Sequence, residues 1–121
     1  MASGRAGCGG AVSSPVQDLP PTRPLAIPPL DEATVAGNVR AFDLTVAEGT
    51  TDFGQSAPTA TFGVNGSYLG PTLLMRTGDE IDMTVTNQLP EQTTLHWHGM
   101  AVPARMDGGP HQLLEPGATW S

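Results

Sequence analysis

Glu80-Ile-Asp-Met-Thr-Val-Thr-Asn87 decides the fold. Ile81, Met83 and Val85 fall at every second position with polar residues between them, and a period of two predicts a half-buried β-strand. Val39 to Val46 repeats the pattern, with Phe42, Leu44 and Val46 on one face. Between these two segments lie turn signals at Thr50 to Gly54, Asn65-Gly66 and Thr77-Gly78-Asp79. They bracket a predicted strand over Thr59 to Val64 and extended chain from Leu69-Gly70-Pro71 through Arg76. Downstream, Asn87 to Gln92 is polar and interrupted by Pro90. Thr93 to His98 is then predicted as the last clear strand, and a long Gly- and Pro-rich loop follows from Gly99. Glu115-Pro116-Gly117 is a turn, and Ala118 to Ser121 opens a strand. Helical periodicity is absent except for a short stretch around Asp31 to Ala36. Short strands separated by turns predict an all-β sandwich or barrel.

Composition agrees and excludes some functions. The 121 residues include 15 glycines and 12 prolines but only 14% charged side chains, a balance that suits a loop-rich β protein. Five Lys and Arg against a net charge of −7 leave no cationic surface for phosphate backbones, so nucleic acid is not an expected partner. No apolar run reaches the length of a transmembrane helix. Residues 1 to 36 carry Pro15, Pro20, Pro21, Pro24, Pro28 and Pro29 and are expected to form an extended tether. The folded part is expected over residues 37 to 121. Cys8 excludes an internal disulfide framework because it is the single cysteine. Ala6-Gly7-Cys8 resembles the tail of a bacterial lipoprotein box, which would anchor the chain by lipid at Cys8. The apolar stretch such a signal needs is missing, however, and Arg5 stands where an apolar residue belongs. An ordinary linker cysteine fits this sequence better. The strands between Gly37 and Ser121 supply little surface to close a sandwich. The chain also stops one residue after Trp120, and it is therefore expected to be the N-terminal part of a longer protein.

The chemistry lies in Leu95-His96-Trp97-His98-Gly99. Alternation sends Leu95 and Trp97 to the apolar side and projects His96 and His98 together from the other, with backbones about 6.5 Å apart. Two imidazoles so placed can ligate one metal, or each can serve a different metal of a cluster, and neutral imidazole suits copper and zinc. Gly99, lacking a Cβ, is expected to admit a close backbone or ligand approach. Met106-Asp107-Gly108-Gly109-Pro110 follows as a tight bend carrying one carboxylate. A bare His-x-His is also met among plain surface groups; the acidic glycine bend eleven residues after the first His makes the pattern more specific.

Phe62-Gly-Val-Asn-Gly-Ser-Tyr-Leu-Gly-Pro71 and Arg76-Thr-Gly-Asp79 resemble the opening cupredoxin domain of bacterial multicopper oxidases. So do Asn87 to Gly99 (NQLPEQTTLHWHG), Met106 to Gln112 and Glu115-Pro-Gly117. The likeness covers about Gly37 to Ser121, and its nearest form is the three-domain copper-efflux-oxidase and spore-coat laccase type. The resemblance implies a cupredoxin-like Greek-key β-sandwich, incomplete at the C-terminus. It implies that His96 binds the type 2 copper and His98 one type 3 copper of a trinuclear cluster. Asp107 would deliver protons beside that cluster as O2 is reduced to water. It implies a small-molecule reductant (phenols, amines or Cu(I)), the remaining cupredoxin domains of the same parent chain as partners, and a place outside the cytoplasm. The second His-x-His motif and the type 1 copper domain of that family are not in this sequence, so the chain alone is expected to be inactive.

Other readings fit less well. A blue-copper module needs a cysteine near its histidines, and Cys8 lies far away in the tether. A copper-free relative kept for protein interaction would have lost the ligand histidines, whereas both remain. Catalytic zinc wants three protein ligands, which would require His111, otherwise a solvent-facing loop residue. Met75, Met83, Met100 and Met106 are scattered along the sequence and are expected to pack rather than ligate.

Overall fold

The computed structural model describes residues 27–54 and 57–121. Cys8 and most of the proline-rich segment lie outside the described residues. The elements are β1 (Leu30–Asp31), β2 (Thr34–Ala36), β3 (Val39–Thr51), β4 (Thr59–Val64), β5 (Thr72–Leu73), β6 (Glu80–Asn87), a single 3-10 turn (Ala104–Met106) and β7 (Thr119–Trp120). The all-β class expected from the alternating segments is what forms. The stretch around Asp31 to Ala36 is strand rather than helix: Leu30 and Asp31 pair in parallel with Thr72 and Leu73, and Thr34 to Ala36 pair with Val39 to Ala41. Ladder partners override a weak local periodicity.

β3 organises the larger sheet. Its first eight residues, Val39 to Val46, run parallel to β6, while Val46 to Thr51 run antiparallel to β4. Thr50 and Thr51 thus belong to the strand, and the turn begins at Asp52, whose Oδ1 accepts the Gly54 N–H at 2.7 Å. Phe42, Leu44 and Val46 are buried, as their alternation predicts. Each contributes about 1.5–3 kcal/mol by leaving water. Leu44 and Val46 join Val85 of β6 with Leu89 and Leu114 in the core, against which Leu95, Trp97 and Trp120 pack.

The expected strand over Thr93 to His98 does not form. Thr93 alone makes a bridge, to Leu114, with hydrogen bonds of 3.1 and 2.8 Å. The backbone beyond it meets a glycine bend instead of another strand, so no ladder continues. The alternation survives all the same: Leu95 and Trp97 are half-buried, and His96 and His98 are exposed.

Asn87 sets where this excursion leaves and returns to the sheet. The side chain is fully buried. Its Nδ2 donates to the carbonyls of Glu91 (2.8 Å) and Leu114 (2.9 Å), and its Oδ1 accepts the Leu89 N–H at 2.9 Å. The Asn87 backbone pairs with Ala118 and Gly117. β6 then meets β7 through Val85 opposite Trp120 and Thr86 opposite Thr119. Replacing Asn87 by Leu removes all three side-chain bonds and strands one buried N–H and two carbonyls. Asn87→Leu is expected to cost about 3 kcal/mol or more in a urea titration.

At the other end of β6, Arg40 Nε donates to Asp79 Oδ2, and the Arg76 N–H donates to the same oxygen at 2.9 Å. The hydrogen-bonded Arg40 guanidinium holds the Asp79 carboxyl below its ordinary value. A lowered folded-state value means that the ionised form favours folding. The contribution is therefore complete above the unfolded-chain value of about 3.9 and is lost as pH falls through the folded one. Asp79→Asn is expected to flatten the acid-side fall in stability below about pH 4, measured by denaturant midpoints across pH.

Candidate metal centre

The excursion between β6 and β7 carries the histidines. Its neck is closed by the Asn87 amide and by the Thr93–Leu114 bridge. Within it, Trp97 and Leu95 pack inward against the core, which leaves His96 and His98 on the outside. Their ring centroids are 5.6 Å apart, with the planes at 74°.

The acidic bend comes to the same place. His96 Nδ1 lies 2.8 Å from the backbone carbonyl oxygen of Asp107 and 3.2 Å from its carboxylate Oδ1. The carbonyl can only accept, so Nδ1 carries a proton, and the neutral tautomer that fits this contact has its free lone pair on Nε2. This is the usual way in which a neighbouring group fixes the tautomer of a metal-ligating histidine. The side chains of His96 and Asp107 are 51% and 39% exposed, so the site is open to a ligand. Asp107 Oδ1 is nevertheless buried and makes no hydrogen bond. An exposed imidazole held at Nδ1, with a second exposed imidazole 5.6 Å away, offers donors of the kind that suit copper or zinc.

Glycine places the bend, but not the glycine the sequence suggests. At Gly99 (φ +81°) an added Cβ would meet nothing within 4 Å, so only its left-handed backbone requires glycine there. The close approach is at Gly108 (φ +69°), where a Cβ would sit 1.6 Å from the carbonyl oxygen of Leu95. The residue preceding His96 is therefore in backbone contact with the residue following Asp107. Sequence reading missed this because a distance between segments leaves no trace in local periodicity.

His111 does not join the pair. Its ring packs over Gly109, and among the described residues no group of three or more His, Cys, Asp or Glu side chains is placed to hold a metal. The four methionines, scattered in sequence, gather in space. Met75, Met83, Met100 and Met106 line one cavity of about 300 Å³ with Trp97 and Trp120. Met83 packs on the core, whereas Met100 and Met106 are largely exposed. Trp97 lines the cavity, and neither His96 nor His98 does.

Comparison with known proteins points the same way. The family model described as Multicopper oxidase matches residues 45–121. The multicopper oxidase mco of Staphylococcus aureus is 38% identical over 88 residues, which cover 73% of this chain and 20% of that protein. The cell division protein FtsP of Shigella dysenteriae is 33% identical over 121 residues, which cover all of this chain and 25% of that one. Among solved structures, the laccase of Pediococcus acidilactici superposes with a TM-score of 0.75 at 38% identity, covering 81% of this chain and 22% of that one. The chain thus spans about a fifth to a quarter of the length of the curated relatives it matches.

The two glycines give a paired prediction. Gly99→Ala meets only backbone strain and is expected to cost about 1 kcal/mol. Gly108→Ala adds a collision with the Leu95 backbone and is expected to cost about 3 kcal/mol or more. Equal shifts in denaturant midpoint would contradict the contact.

Proposed function

The chain belongs to the multicopper oxidase family, and we propose that it supplies the first two histidine ligands of a copper cluster shared with the rest of its parent protein. One observation carries the reading: His96 is held by Nδ1 on the Asp107 carbonyl, and its ring lies 5.6 Å from the exposed ring of His98. His96 and His98 would hold the metal, at type 2 and type 3 positions respectively. Bound copper would supply one-electron redox chemistry, coupling oxidation of a phenol, an amine or Cu(I) to the four-electron reduction of O2. Asp107 would hold and pass protons there, because its unpartnered Oδ1 is free to take one. Trp97, packed on the core, keeps the two imidazoles on the outer face. Two imidazoles do not complete such a cluster, so the remaining ligands and the substrate site would belong to the regions its much longer relatives have beyond the matched span. On this reading the isolated chain is inactive.

The cupredoxin-like fold agrees with this assignment. Among the described residues no helix is long and apolar enough to cross a membrane. The same reading locates the protein outside the cytoplasm, which cell fractionation tests.

The match to the cell division protein FtsP along the whole chain favours a second reading, a role in cell division, which we take to need no copper. The retained His96–His98 pair favours the first. The two separate on metal content. In the natural full-length protein, His96→Ala and His98→Ala are each expected to lose copper and to reduce O2-dependent phenol oxidation to background. Asp107→Asn is expected to keep its copper and lose about 10²–10⁴-fold in turnover, as for a removed proton donor. Copper-dependent turnover that survives in the double histidine variant would overturn the oxidase reading.

A further inference from the structure

We propose that Gln112 is a positioning residue for His96, acting through the single peptide plane that joins Asp107 to Gly108. The inference rests on the reading of His96 as a copper ligand. Gln112 Oε1 accepts the N–H of Gly108 at 3.0 Å and that of Gly109 at 3.2 Å. Both partners are donors, so it must be the amide oxygen that faces them. The backbone explains why they converge. Asp107 is right-handed (φ −90°, ψ −1°) and Gly108 left-handed (φ +69°), and such a pair turns successive N–H groups into one concavity that wants an acceptor. Gln112 fills it from its own turn, which is closed by the Gln112 N–H donating to the Gly109 carbonyl at 2.9 Å.

The Gly108 N–H and the Asp107 carbonyl belong to one trans peptide unit, whose atoms are coplanar and whose N–H and C=O point in opposite directions. Gln112 holds the N–H end of that plane. His96 Nδ1 is held by the C=O end, at 2.8 Å. Fixing one end therefore fixes the other, and the plane cannot slide because Gly108 lies directly on the Leu95 backbone. Without an acceptor at position 112 the plane is free to rotate about its flanking bonds. The Asp107 carbonyl oxygen then swings away from Nδ1, and only the more distant carboxylate Oδ1, at 3.2 Å, is left to keep the proton off Nε2. Gln112 touches neither the imidazole nor a metal. It sets which nitrogen the imidazole offers.

The test reads the tautomer directly, in the natural full-length protein, depleted of copper and carrying 15N-labelled histidine. Imidazole 15N shifts are expected to show His96 as the Nδ1–H form in the wild type. Gln112→Leu, which has no acceptor, is expected to convert His96 to a mixture of both forms while leaving the His98 signals in place. Gln112→Glu keeps an acceptor oxygen and is expected to restore the Nδ1–H form. Copper titration is expected to show about a 10–100-fold loss of affinity in Gln112→Leu, the range typical for lost outer partners of a ligand, and recovery in Gln112→Glu. A wild-type His96 in the Nε2–H form, or a Gln112→Leu protein whose His96 signals are unchanged, would overturn the proposal. If the tautomer follows Gln112 but copper never binds the wild type, the copper reading fails and the positioning role stands.

Discussion

The side-chain amide of Asn87 is the interaction on which the rest depends. It is fully buried at the end of β6, and it is satisfied from three directions by Leu89, Glu91 and Leu114. Those contacts join the point where the chain leaves the sheet to the point where it returns. A loop of this length would otherwise sample many conformations, because closure alone specifies little about what lies between its ends. Once the neck is fixed, each further constraint acts on a smaller set. Thr93 bridges Leu114, Leu95 and Trp97 pack on the core, and Gly108 comes to rest on the Leu95 backbone. Only then do His96 and the Asp107 carbonyl meet.

The strands were legible in the sequence where periodicity is long and one-sided. Phe42, Leu44 and Val46 alternate into the core, and Glu80 to Asn87 form β6 with the bounds their pattern suggests. The pairing of His96 with His98 on one face was legible for the same reason, although the segment carrying them has no strand partner. Asn87 was not legible, because an asparagine before a proline-containing turn reads as part of the turn. Its burial follows from carbonyls that come from four and twenty-seven residues away. Gly108 and Gln112 escaped for a related reason. A backbone contact between two loop segments, and an acceptor folded back on its own turn, leave no periodic mark. The methionines look dispersed along the chain, yet the fold gathers all four described ones at one cavity.

The arrangement divides the labour of the site. The sheet supplies rigidity, the loop supplies two imidazoles, and the glycine bend fixes one tautomer through a backbone carbonyl rather than through the acidic side chain. That leaves the Asp107 carboxylate free of a structural duty, with one oxygen buried and unpaired. An unsatisfied buried oxygen costs stability, and the proton-handling role proposed for Asp107 would account for it. The histidine pair and the acidic bend lie within the span that the chain shares with its much longer relatives.

The central claim is that His96 offers Nε2 to copper while Asp107 holds its Nδ1. Anomalous diffraction at the copper edge from copper-loaded crystals of the natural full-length protein tests it most directly. The account predicts copper within bonding distance of His96 Nε2 and of the His98 ring, with the Asp107 carbonyl still on Nδ1. Copper bound through His96 Nδ1, or no copper at either histidine, would contradict it.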